Sequence, residues 1–130
     1  MTSSGNMVGL FAGIGGLELG LGENGWNTEL LCEVDPGAQA VLRARFPDVP
    51  LHPDVTQLRS LPQGTELVAA GFPCQDLSQA GRTAGITGTK SSLVDEVFRL
   101  VRRKNGPRWL VIENVPFMLQ LGRGAAMRHI

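Results

Sequence analysis

Thiols and net charge are both scarce in this chain. Only two cysteines occur, Cys32 and Cys74. That is too few for a disulfide framework, so a reduced intracellular compartment is the default expectation, with Cys74 free. Acidic and basic residues balance at 12 each, for a formal net charge of +0 at pH 7. No overall field draws such a chain to nucleic acid, and any contact of that kind has to rest on local placement. Histidine is equally sparse. His52 stands between Leu51 and Pro53 and His129 near the last residue, neither with a second ligand at metal-binding spacing, and neither is assigned as a metal ligand or general base. No apolar run approaches the roughly twenty residues that span a bilayer, and no signal peptide or lipidation motif opens the chain, so no membrane partner is expected. Residues 1–6 are polar and read as a flexible leader.

What is present is a regular alternation of short apolar runs with helical patterns, in a chain of 130 residues that is one domain at most. Met7 to Phe11 reads as a strand, Ala12-Gly13-Ile14-Gly15-Gly16 as a glycine turn, and Leu17 to Leu21 as the start of a helix. Strand, glycine turn and helix form the first unit of a Rossmann-like half. The dinucleotide pattern G-x-G-x-x-G is absent, because Glu18 stands where its third glycine belongs. A nucleoside ligand without a pyrophosphate therefore fits better. Asn27 to Val34 predicts a second strand ending in Glu33-Val34-Asp35, and an acid about twenty positions past the first glycine is where such folds hold ribose hydroxyls. The alternative for Glu33 and Asp35 is a plain helix N-terminus with Pro36 in its first turn.

Pro36 to Phe46 predicts a helix with Ala38, Val41, Leu42 and Phe46 on its packing face, and Leu51-His52 a short third strand before an Asp54-Val55-Thr56 turn. Leu67 to Ala70 has the length of a buried strand, and it delivers Phe72-Pro73-Cys74-Gln75 onto the following loop. Taken alone, Cys74 would be a small buried hydrophobe. Proline before it and the polar Gln75 and Ser78 after it point instead to a presented thiol. Gln79 to Ser92 lacks apolar periodicity and reads as a lid, binding loop or solvated segment. Ser92 to Lys104 predicts the strongest helix, with Leu93, Val94, Val97, Phe98 and Val101 in one stripe. Arg99, Arg102, Arg103 and Lys104 crowd its end, where compensation of the helix dipole explains them better than DNA binding. Arg108 to Ile112 predicts another buried strand, which ends at Glu113.

Three blocks, Phe11-Ala12-Gly13-Ile14-Gly15-Gly16, Gly71-Phe72-Pro73-Cys74-Gln75 and Glu113-Asn114-Val115, stand in the order and at the spacing of the DNA (cytosine-5)-methyltransferase family, which the chain resembles from about Val8 to its last residue. The ending Glu113-Asn114-Val115-Pro116-Phe117-Met118 resembles the animal de novo type in particular. The fold class so implied is α/β, a Rossmann-like open parallel sheet with flanking helices as in S-adenosylmethionine-dependent methyltransferases. Residues 7–130 would form the N-terminal portion of the catalytic domain, truncated.

The resemblance implies S-adenosylmethionine as cofactor. Its contacts would come from Phe11, Gly13, Gly15, Gly16, Leu17, Glu33, Val34, Asp54, Val55, Pro73 and Leu93. Phe11 and Val34 would meet the adenine ring and Asp54 with Val55 its edge; Val34 departs from the larger flat side chain of many relatives. Catalysis would fall to Cys74, Glu113 and Asn114. DNA contacts would fall to Gln75, Ser78 and Arg82, with Lys90 beside them on a loop closing over an extruded base. Glu113 would need a carboxyl pKa raised by burial between Ile112 and Val115.

The implied partners are double-stranded DNA with a flipped cytosine and a second polypeptide. That polypeptide would supply the arginine block, target-recognition region and C-terminal helix that do not follow Glu113. The compartment would be the nucleus in an animal, the cytoplasm or nucleoid in a bacterium. Two other readings stand beside this one: a silent module of the same fold that binds S-adenosylmethionine or a protein, and an RNA cytosine methyltransferase. The second is disfavoured by Phe72-Pro73-Cys74, where transfer-RNA relatives usually have Pro-Pro-Cys.

Overall fold

A computed structural model describes residues 3–71 and 92–113. Five strands form one parallel sheet in the order β3-β2-β1-β4-β5: β1 (Gly5–Leu10), β2 (Trp26–Cys32), β3 (Leu51–His52), β4 (Thr65–Gly71) and β5 (Trp109–Glu113). Among the described residues the helices are α1 (Gly16–Gly22), α2 (Pro36–Arg45) and α3 (Ser92–Val101), with a 3-10 turn at Val55–Gln57. The chain builds outward from β1 to β3, returns to the centre, and builds the other way through β4 and β5. That reversal creates a switch point between β1 and β4.

The strands read as apolar runs because both faces of the sheet are covered. On one face Val8, Leu10, Val68 and Ala70 pack with Val94, Val97 and Leu100 of α3, and with Val55 and Leu58. On the other, Met7, Leu67 and Ala69 lie under Leu17 and Leu21 of α1. Each fully buried aliphatic side chain contributes about 1.5–3 kcal/mol, so the α3 stripe is the main hold on its face. Among the described residues no helix is long and apolar enough to cross a membrane.

Several boundaries differ from the sequence-based expectation, each for a physical reason. β1 begins at Gly5, inside the stretch 1–6, and the Ser4 N–H donates to the Gly25 carbonyl at 2.9 Å. β2 stops at Cys32, and beyond it the Glu33 side chain accepts from the glycine turn while its N–H donates to the His52 carbonyl at 3.1 Å. α3 ends at Val101, short of Lys104: Gly106 folds back so closely that a Cβ there would stand 2.5 Å from the Val101 carbonyl oxygen. Arg102, Arg103 and Lys104 therefore lie past the helix end, with specific partners for two of them. Arg102 lies over the Phe98 ring and Arg103 donates to the Arg59 carbonyl.

Candidate active site

The carboxyl ends of the parallel strands share one edge of the sheet, and most of the sequence-predicted residues that are described fall along it. Leaving β1, the backbone turns left-handed at Phe11 (φ 51°), Gly13 (φ 59°) and Gly15 (φ 89°). For glycine this conformation carries no Cβ penalty, whereas for phenylalanine it is uncommon. Gly15 is needed on packing grounds as well, since a Cβ there would lie 2.7 Å from the Phe46 ring. Over Gly13 and Gly16 a Cβ would meet nothing within 4 Å.

Glu33 holds this turn. Its Oε1 accepts the Gly13 N–H at 2.8 Å and its Oε2 accepts the Asp35 N–H at 2.9 Å, while its carbonyl accepts from Gln39 Nε2 at 2.7 Å. The two readings open for Glu33 and Asp35 thus separate. Asp35 caps α2, accepting the Ala38 N–H at 2.8 Å, and Glu33 faces the glycines. Beside them Val34 is 74% exposed and Ile14 56% exposed, two apolar side chains presented next to a carboxylate. After β3, Asp54 caps the 3-10 turn. The Thr56 hydroxyl and N–H donate to its Oδ1 at 2.6 and 2.9 Å and hold its carboxyl below the usual range. Val34 and Ile14 thus expose apolar surface next in sequence to Glu33 and the glycine turn, and both the Glu33 and Asp54 carboxylates can accept from hydroxyl or amine donors.

Across the switch point, Gly71 at the end of β4 is the register partner of Glu113 at the end of β5. A Cβ on Gly71 would stand 3.1 Å from the Phe11 carbonyl oxygen and 3.5 Å from Glu113 Oε2. The exits of β1, β4 and β5 therefore meet at Gly71, three positions before Cys74 in sequence. Glu113 itself is exposed. The burial expected for it is not supplied by the described residues, because β5 is the last strand on that side of the sheet.

The remaining residues divide clearly. Val55 is 5% exposed and packs inward, Leu17 of α1 is half-buried against Met7, Leu67 and Ala69, and Leu93 is half-buried against the α3 cluster. Pro73, Cys74, Gln75, Ser78, Arg82, Lys90 and Asn114 lie outside the described residues.

Two groups have a character that the local pattern did not reveal. Glu18 was noted only for displacing a glycine, yet it is 2% exposed, with its carboxyl over Gly9 of β1 and Oε2 without a partner. Loss of water pushes its pKa up to about 7, against a smaller opposing effect of its own backbone hydrogen bond. It borders a groove of about 320 Å³ lined also by Leu19, Gly22, Trp26, Phe46 and Val49. The available signal was Gly9 itself, since a glycine inside an apolar strand marks a close approach. Cys32 is buried and free, and burial, with the charges of Asp54 and Glu33 adding to it, pushes its thiol up to about 12.

Comparison with known proteins follows the same outline. Residues 5–130 match the family described as C-5 cytosine-specific DNA methylase. The Type II methyltransferase M2.BsuMI of Bacillus subtilis (strain 168) is 54% identical over 127 residues, which cover 95% of this chain and 32% of that protein. Type II methyltransferase M.AquIA of Picosynechococcus sp. is 33% identical, the match covering 95% of this chain and 54% of that protein. A crystal structure of a DNA modification methyltransferase encoded within an E. coli prophage superposes with a TM-score of 0.76 at 26% identity, covering 97% of this chain and 36% of that one. The chain thus spans a third to a half of the length of these relatives. On the match over residues 5–130, the chain belongs to the C-5 cytosine-specific DNA methylase family.

Proposed function

We propose that this chain carries the cofactor half-site and the nucleophile of a DNA cytosine-5 methyltransferase, and that further polypeptide supplies the remainder. The observation that carries the reading is the meeting of three strand exits at Gly71. There the carboxyl of Glu113 and the carbonyl of Phe11 both close on the strand that leads to Cys74. The match over residues 5–130, which covers only a third to a half of these relatives, is consistent with further polypeptide being needed.

When bound, S-adenosylmethionine supplies the methyl group. Glu33 and the Gly13 turn would hold its ribose side, Val34 and Phe11 would flank its adenine, and Asp54 would accept from its amine. Cytosine within a duplex is out of reach, so the target nucleotide is flipped into the pocket, where Gln75, Ser78 and Arg82 contact the DNA. The Cys74 thiolate adds to carbon 6, forming a carbon–sulfur bond and moving an electron pair toward carbon 5. Glu113 shares a proton with ring nitrogen 3 and so limits the negative charge on the ring. Asn114 joins the two catalytic loops. The methyl would pass to carbon 5 as its bond to the sulfonium breaks and leaves a thioether; the carbon 5 proton would then go to water, and its electron pair would restore the ring double bond and expel Cys74 as thiolate.

The test is reconstitution. This chain is mixed with the portion of M2.BsuMI beyond the matched segment, duplex DNA and methyl-labelled cofactor. Label is expected in cytosine with the wild-type chain and not with Cys74→Ser. Equal incorporation by both would overturn the covalent mechanism.

A further inference from the structure

We infer that Arg99 is the positioning residue for the turn that reads the adenine edge, an inference that rests on the cofactor reading above. Arg99 lies in the last turn of α3, remote in sequence from Asp54, yet its guanidinium reaches under the 3-10 turn. Nη2 donates to the Val55 carbonyl at 3.2 Å and to the Leu58 carbonyl at 2.8 Å, and Nε donates to Glu96 at 2.6 Å. Val55 opens the turn and Leu58 follows its last residue, so one planar group fastens both ends.

Within the turn the Gln57 N–H donates to the Asp54 carbonyl and the Leu58 N–H to the Val55 carbonyl, and Arg103 donates to the Arg59 carbonyl just beyond it. β3, which leads into it, has only two register pairs, Leu31↔Leu51 and Cys32↔His52. The side chains of Val55 and Leu58 anchor it from below, in the cluster with Val94, Val97 and Leu100. Apolar packing is non-directional, so these two side chains by themselves leave the orientation of the turn free. Carbonyl contacts from a rigid fork remove that freedom, which a lysine with a point charge does only in part. Glu96 keeps the fork in plane by holding Nε. The Asp54 carboxyl, exposed at the head of the turn and accepting from Thr56, thereby keeps its direction toward a base amine.

The distinguishing experiment uses the full 130-residue chain and two cofactor analogues. S-Adenosylhomocysteine carries a 6-amino donor that Asp54 can accept. S-Inosylhomocysteine carries a 6-carbonyl, which a carboxylate repels. Calorimetric titration of the wild type is expected to show at least tenfold preference for the adenosyl compound. Arg99→Gln should lose at least tenfold in adenosyl affinity while inosyl affinity moves less than twofold, and Arg99→Lys should fall between the two, with thermal melting confirming folded protein. Equal fractional losses for both analogues would mean a general structural role and overturn the inference. Should Arg99→Gln not fold, Arg99→Lys is judged by the same criterion. Failure of the wild type to bind the adenosyl compound overturns the cofactor reading itself, and the Arg99 inference with it.

Discussion

Gly9 and Glu18 are matched across the interface of β1 and α1: a Cβ on Gly9 would stand 2.9 Å from the Cγ, Cδ and Oε1 of Glu18. Because Glu18 is 2% exposed, its carboxyl has no free path by which to swing aside. Gly9→Ala should destabilise the fold by about 1–3 kcal/mol through overpacking. Removing the carboxyl in Gly9→Ala/Glu18→Ala should recover part of that loss, a coupling that urea denaturation of the four variants of the cycle measures directly.

The same carboxyl gives the fold a pH dependence. Its pKa moves from 4.5 to about 7 on folding, so between those values the folded state keeps a proton that the unfolded chain releases. Stability from this group is full below about pH 4.5 and is lost as pH rises through 7, by on the order of 3 kcal/mol. Glu18→Gln should flatten the dependence across that window. Denaturation midpoints at several pH values, compared between the two proteins, test it; parallel curves would rule out Glu18 as the source.

The two cysteines should differ in reactivity. Cys32, buried and with its thiol pushed up to about 12, holds almost no thiolate at neutral pH. In native protein, iodoacetamide should label one thiol, located at Cys74 by peptide mass mapping. Denaturant should expose the second. Labelling of Cys32 in the folded state would contradict its burial.

Glu33 should matter twice, for the turn and for the ligand. Glu33→Gln removes one of the two acceptors that hold the Gly13 and Asp35 amides, and a hydrogen bond to a charged group contributes about 1.5–3 kcal/mol. Affinity for S-adenosylhomocysteine is expected to fall about tenfold, which is about 1.4 kcal/mol. Titration calorimetry reads the affinity and chemical denaturation the stability.

Much of the element order was legible because its signals are local. The strand-turn-helix at Phe11 to Leu21, the proline at the start of α2 and the apolar stripe of α3 each declare themselves within a dozen residues. Even the two-residue β3 was readable, from the prolines around it. What local pattern could not carry was any partnership across the chain. Arg99 reads as dipole compensation until its carbonyl partners appear 41 and 44 residues away. Glu33 and Asp35 were interchangeable on spacing alone, and only the hydrogen bonds of each assign one to the glycine turn and the other to the helix cap. The exposure of Glu113 was likewise hidden, since an apolar run indicates a strand without saying what stands beside it.

The two rims of the sheet are unequal. β3 offers an incoming strand a ladder of only two residues, whereas β5 offers five and presents Trp109 at 58% exposure. Among the described residues the longer backbone ladder at a rim is therefore the one on the Trp109 flank, where a strand laid beside β5 gains more than twice the pairing that β3 offers.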